Sequence, residues 1–194
     1  MNQKLDTYKT LSKASAPILF KEKKSKFFGY AFPIQTIEEV KPILEALKKK
    51  HQGANHVCYA WQLGIDSISY RANDDGEPNN SAGMPIYGQI KAFEVTNTLV
   101  AVVRIFGGTK LGVGGLISAY REGAKLALEA SSIIEKVQKL PLHLSFEYAD
   151  MDFVMRIIKQ QQLEVQEQKL EEKCTLQLLA VSYTHLTLPT ILLV

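Results

Sequence analysis

Cysteine is nearly absent: Cys58 and Cys174 are the only two in 194 residues, and they match no CxxC or Cys/His metal spacing. That excludes a disulfide framework and a Cys/His zinc site, so each thiol is expected to be reduced and to pack as a small buried hydrophobe. Also missing are a charged-then-apolar leader ahead of Tyr8 and any apolar run near the ~18 residues needed to span a bilayer. A cytoplasmic protein without a membrane partner is the expectation. No internal repeat or low-complexity tract is present, and there is neither a GxGxxG run nor a Walker loop. Gly107 and Gly112 have the first Walker spacing, but Val113 stands where that motif needs its lysine. Charge of one sign is scarce too. The formal net charge of +3 does not by itself establish a nucleic-acid partner, and DNA sequence specificity is not expected. The excess is nonetheless uneven, since residues 1–135 carry 17 Lys/Arg against 13 Asp/Glu while 136–194 carry 6 against 7.

What is plentiful is glycine in one place. Gly107, Gly108, Gly112, Gly114 and Gly115 occupy five of nine positions between an apolar run containing Leu99, Val100, Val102 and Val103 and an amphipathic segment. The first reads as a strand covered on both faces. In the second, Leu116, Ala119, Tyr120, Gly123, Leu126 and Ala127 recur at helical spacing, which predicts a helix starting near Gly115. A bare loop entering a helix offers unpaired N–H groups and the positive end of the helix dipole. With Lys110 and Arg104 close by, and both expected at the loop surface, it suits an anion such as phosphate. The competing reading is that the glycines only let the helix pack tightly on the strand.

Ahead of this, Lys21, Lys23, Lys24 and Lys26 precede a β-rich run, FFGYAFPI. They read either as a phosphate-contacting patch or as lysines that protect a sheet edge. Thr36 and Glu39 fit a capping box before a helical stripe of Val40, Ile43, Leu44 and Leu47, in which Pro42 is awkward unless the helix begins there. Asn55–Leu63 alternates, with Val57, Tyr59, Trp61 and Leu63 on one face and His56, Cys58, Ala60 and Gln62 on the other; a second strand is expected over Ile65–Arg71. His56 and Cys58 could form a base–nucleophile pair, but two core-facing side chains are the commoner arrangement. Asp74, Asp75 and Glu77 crowd a turn. They could hold a hard cation such as magnesium, or hydrogen-bond the glycine-loop amides and Arg104 and so fix the shape of the site. A helix is expected over Tyr87–Phe93. After Ser131-Ser132, with Pro141 as the separator, LHLSFEY reads as a strand, MDFVMRIIKQ as a helix, and Leu163–Lys169 and Thr175–Val181 as two more strands, an order of βαββ.

The run RANDDGEPNNSAGMPIYGQI from Arg71, followed by VVRIFGGTKLGVGGLISAYREGAK from Val102, resembles the signature of the YigZ/IMPACT family. The family more often shows Ser-Gly-Thr where Asn79-Asn80-Ser81 stand here, and an aromatic where Ile105 stands. The resemblance implies an α+β protein: a ribosomal-protein-like αβ domain over residues 1–135, its sheet carrying two helices on one side, then a partial ferredoxin-like domain over residues 140–181. The tail at 182–194 lacks the second helix and fourth strand of such a domain and reads as foreign. It is expected to leave an open apolar face over Phe153, Ile157, Leu176 and Leu178.

For function, the resemblance implies translation regulators under stress in its eukaryotic branch, and ribosome or RNA association in its bacterial one. The expected protein is therefore a non-enzymatic module with no cofactor, binding RNA, the ribosome or a translation regulatory protein through Arg104, Lys110 and the glycine loop. The alternative is a metal-dependent phosphate- or nucleotide-processing enzyme that uses Asp74, Asp75 and Glu77 as metal ligands and Lys110 to steady a phosphoryl group.

Overall fold

The computed structural model describes residues 7–171 and 173–181, and these divide into two compact units, Tyr8–Glu135 and a second made of Thr7 and the residues from Lys136 on. The β-branched and aromatic runs of the first 137 residues form strands β1 (Thr7–Leu11), β2 (Ile18–Glu22), β3 (Ser25–Pro33), β4 (His56–Leu63), β5 (Ser69–Asn73), β6 (Thr98–Ile105) and β7 (Ile133–Val137). β1 pairs with β7, and the other five form one sheet in the order β2-β3-β6-β4-β5. β6 is its centre, with Leu99 to Val103 all 0% exposed, as expected of a strand buried on both faces.

The expected alternation of β4 is what the sheet uses. Cys58 and Ala60 join Phe27, Ala31, Val100 and Val102 beneath two helices, α2 (Gly83–Ala92) and α3 (Gly112–Glu129). Val57 joins Tyr30, Ala101 and Val103 on the opposite face, where Leu47 of α1 (Val40–Lys50) packs. The sheet therefore has two helices on one side and a third on the other. Full burial of a side chain such as Leu128 contributes about 1.5–3 kcal/mol. α3 can come this close because a Cβ on Gly29 would meet the Gly123 carbonyl oxygen at 2.3 Å.

Helix starts differ from the sequence expectation for a common reason. α3 begins at Gly112 rather than near Gly115, and α2 at Gly83 rather than Tyr87. α1 begins at Val40, which puts Pro42 in its first turn. Pro85 sits likewise in the first turn of α2. Amides there have no intrahelical partner, so proline removes no bond. The anticipated capping box does not cap α1, because Glu39 itself is the N-cap residue; the Glu39 carboxylate instead accepts from the amides of Gln35 and Thr36 at 2.9 and 3.0 Å in the turn before the helix. β5 starts later than expected because Gly64, at φ 93°, turns the chain first.

The second unit holds β8 (Lys139–Glu147), one turn of 3-10 helix, α4 (Met151–Gln160), β9 (Glu164–Lys169) and β10 (Lys173–Val181), in antiparallel order β8-β10-β9. The βαββ order expected from the pattern is present, but Pro141 is not a separator. It lies within β8 opposite Leu179, on an edge strand where a missing amide is tolerated. Leu176 and Leu178, expected under an open face, are 2% and 0% exposed and pack with Val154 and Ile158 of α4. Ile157 is buried as well, and Phe153 alone of the four is exposed, at 44%. The expected foreign tail lies outside the described residues.

Candidate functional site

The first residue of β4, the end of β6, the acidic turn after β5 and the start of α3 meet at one cleft of about 450 Å³. Asn55, His56, Glu77, Arg104, Lys110, Gly112 and Val113 are among its lining residues. Arg104 is not at the loop surface: it is 6% exposed, and its Nη1 donates to Glu77 Oε1 at 2.6 Å. The guanidinium lies between the Phe27 and Phe106 rings, 5.6 and 5.4 Å from their centroids. Its Nε is buried without a partner. Tyr120 of α3 donates to the same Glu77 oxygen at 2.8 Å. Burial above all, then the neighbouring Cys58 and Glu77, push its hydroxyl well above the ordinary phenol value, so it stays a donor.

The acidic turn does hold shape, but through three separate sets of bonds. Asp74 accepts from the amides of Ala82 and Gly83 at 2.9 and 2.8 Å and from Asn80 at 2.9 Å. It therefore caps α2 from eight residues upstream, in place of the glycine-loop amides that were expected as its partners. Asp75 accepts from Val57 N–H at 2.7 Å and faces Lys48 Nζ at 3.7 Å. Only Glu77 reaches Arg104. The three carboxylates read as one candidate metal set thus point to different partners, and among the described residues no group of three or more His, Cys, Asp or Glu is placed to hold a metal ion. Asn80, standing where the family more often has glycine, is at φ 60°, a left-handed conformation that asparagine tolerates best among non-glycine residues.

His56 and Cys58 share a face and do not form a base–nucleophile pair. Cys58 is 0% exposed, its Sγ donates to the Asp74 carbonyl at 3.0 Å, and burial pushes the thiol well above its ordinary range. His56 Nδ1 donates to the Asp75 carbonyl at 2.8 Å. In the neutral ring this leaves Nε2 as the acceptor, 3.9 Å from Glu77 Oε1.

The glycines divide by role. A Cβ on Gly107 would lie 2.0 Å from the Lys24 carbonyl carbon, so that glycine is there for close packing. Gly108 and Gly112 have φ of 86° and 74° with open space around the Cβ position, and Gly114 is equally open. Gly115 packs on Leu111. At the start of α3 no side chain among the described residues caps the amides, and its first turn has no acidic residue.

One juxtaposition was invisible in the sequence. Lys23 and Lys24, at φ 42° and 67°, form the two-residue turn between the Glu22 and Ser25 partners of β2 and β3, the geometry that suits strand twist. Gly107 rests on that turn, and its amide donates to Ser25 Oγ at 3.2 Å. The Lys23–Lys24 turn and the glycine loop are therefore neighbours. Lys21 and Lys26 are cross-strand partners, a like-charge pairing that is unfavourable unless an anion lies nearby.

With this geometry in hand, residues 23–128 match the family model of the Impact N-terminal domain. The chain is 31% identical over 163 residues to IMPACT family member YvyE of Bacillus subtilis, covering 84% of this chain and 75% of that one. It is 33% identical over 150 residues to IMPACT family member YigZ of Escherichia coli, covering 75% of this chain and 74% of that one. A crystal structure described as that of a hypothetical protein matches with a TM-score of 0.76 at 26% identity, over 92% of this chain and 87% of its own. The fold is α+β, with two helices on one face of the five-stranded sheet. The chain belongs to the IMPACT family. No described helix is long and apolar enough to cross a membrane.

Proposed function

We propose that this protein is a translation-associated regulatory module of the cytoplasm that binds RNA, alone or within the ribosome, without catalysing a reaction on it. Its family resemblance supplies the translation context. The observation that carries the RNA reading is the packing of the lysine hairpin on the glycine loop, in which Gly107 lies against the Lys24–Ser25 backbone at the turn of the hairpin that bears Lys21, Lys23, Lys24 and Lys26. None of these four lysines, nor Lys110, has an ion-pair partner among the described residues of the first unit, so their charge is free to neutralise phosphates. The acidic turn is a scaffold for this surface: Asp74 fixes α2, Asp75 fixes the start of β4 and Glu77 fixes Arg104.

A thermal-shift panel tests the reading. Ribosomes or single-stranded RNA are expected to raise the melting temperature by linkage, and a pull-down from lysate is expected to recover RNA. A rise produced only by a nucleotide together with a divalent metal would overturn it in favour of a phosphate-processing enzyme. Recovery of protein without RNA would overturn it in favour of a translation-factor partner.

A further inference from the structure

The lysine hairpin accounts for a track along a phosphate backbone, but it leaves the cleft beside it unexplained. We infer that this cleft is a pocket for a terminal phosphate monoester, lined by Arg104, His56, Lys110 and the start of α3. The inference rests on the anion-binding reading of the glycine loop and gives it a defined ligand class.

Four observations converge. The N-terminus of an 18-residue helix opens on the cleft at Gly112 with no capping side chain and no acid in its first turn, which leaves amide donors and the positive dipole end for an anion. Arg104, 6% exposed, lines the same cleft with its Nε unpartnered. Lys110 lines the rim with no ion-pair partner among the described residues. His56 is locked by its Nδ1 bond to the Asp75 carbonyl, so Nε2 is presented at the cleft wall. There it accepts from a singly protonated phosphate or, as imidazolium, donates to the dianion. Among the described lining residues the one opposing charge is Glu77, and its side chain is 5% exposed with Oε1 already accepting from Arg104 and Tyr120.

The shape favours a chain end over a chain interior. Backbone phosphodiesters run past an open surface such as the hairpin, whereas a cleft of about 450 Å³ lined by His56, Arg104, Lys110 and the start of α3 sets donors from several elements around a terminal group with its three oxygens. Two molecules carry that chemistry: a free nucleoside 5′-monophosphate and an RNA bearing a 5′-phosphate.

The test compares AMP, adenosine, and one short single-stranded RNA made with a 5′-phosphate and with a 5′-hydroxyl, read by calorimetry and by the NMR shifts of the His56 ring and the Gly112–Gly114 amides. The 5′-phosphorylated RNA is expected to bind about tenfold more tightly than its 5′-hydroxyl twin, the size of a few charge-assisted bonds. AMP but not adenosine is expected to shift His56. Val113→Asp puts a carboxylate on an exposed position in the first turn of α3, which suits the helix dipole and preserves folding; it is expected to abolish the tenfold preference, and Lys110→Gln to reduce it. Equal, salt-sensitive binding of both RNAs with no His56 shift would overturn the pocket while leaving the RNA reading intact. AMP binding at the cleft with no binding of either RNA would keep the pocket, assign it to free mononucleotides and overturn the RNA reading.

Discussion

Inside Tyr8–Glu135, Arg104 and Glu77 meet at 2.6 Å with 7% and 5% of their side chains exposed, whereas two ion pairs among the described residues of the second unit, Lys139–Glu164 and Lys169–Glu167, are about half exposed or more. Charges as accessible as the second kind exchange water for little gain. Charges as enclosed as the first are expensive to desolvate and persist where a definite arrangement is required. The buried pair is also braced by Tyr120 and by two aromatic rings. It thereby fixes the wall of a cleft, which nothing comparable does among the described residues of the second unit.

The sharpest way to break this contrast is to remove one partner on each side. Glu77→Ala strands the Arg104 charge and should cost about 3–5 kcal/mol, seen as a large fall in the denaturation midpoint. Glu77→Leu with Arg104→Met should recover much of that loss. Glu164→Gln, in a solvated pair, should leave the midpoint unchanged. If both units responded alike, burial would not be what separates them.

Next in size is a pair of glycine substitutions within the first unit. Gly29→Ala drives a methyl into the Gly123 carbonyl and should destabilise by about 1–3 kcal/mol. Gly88→Ala, in α2 with nothing within 4 Å, should stabilise by about 1 kcal/mol through helix propensity. Opposite signs in chemical denaturation are the expected result, and matching signs would contradict the packing described for α3.

The smallest effect concerns pH. Burial first, then Lys50, hold His51 below its ordinary value of 6.5, and its Nε2 shares a hydrogen bond of 2.6 Å with the Tyr30 hydroxyl. The folded state thus prefers the neutral ring, and the unfolded chain takes up the proton first as pH falls. Its contribution is present above about pH 6.5 and is lost as pH drops through the folded value. His51→Gln should flatten that part of the stability–pH curve, as measured by denaturant titrations at several pH values.

Much of the frame was legible because it is periodic. The alternation of β4 and the stripe of α3 state which faces are buried, and both faces are. Helix starts were misread where a glycine or proline falls in a first turn, since local chemistry there looks like a loop. Pro141 was misread as a boundary because nothing local distinguishes an edge strand from a linker. The site was legible in its parts and not in its joins. Glu77 and Arg104 lie 27 residues apart, Gly107 and Ser25 82 apart, and no periodicity carries such distances. Asp74 was recognised as a turn residue, yet its role as the cap of α2 depends on a chain reversal that only the fold supplies.

The central claim is that the lysine hairpin and glycine loop form one phosphate-binding surface. The salt dependence of single-stranded RNA binding tests it most directly. Wild type should show a log–log slope near −0.7 for each phosphate neutralised, and changing Lys21, Lys23, Lys24 and Lys26 to glutamine should make the slope shallower by roughly 0.7 for every lysine that touches a phosphate, with no change in sequence preference. A flat salt response in the wild type, or an identical slope in the variant, would contradict the claim.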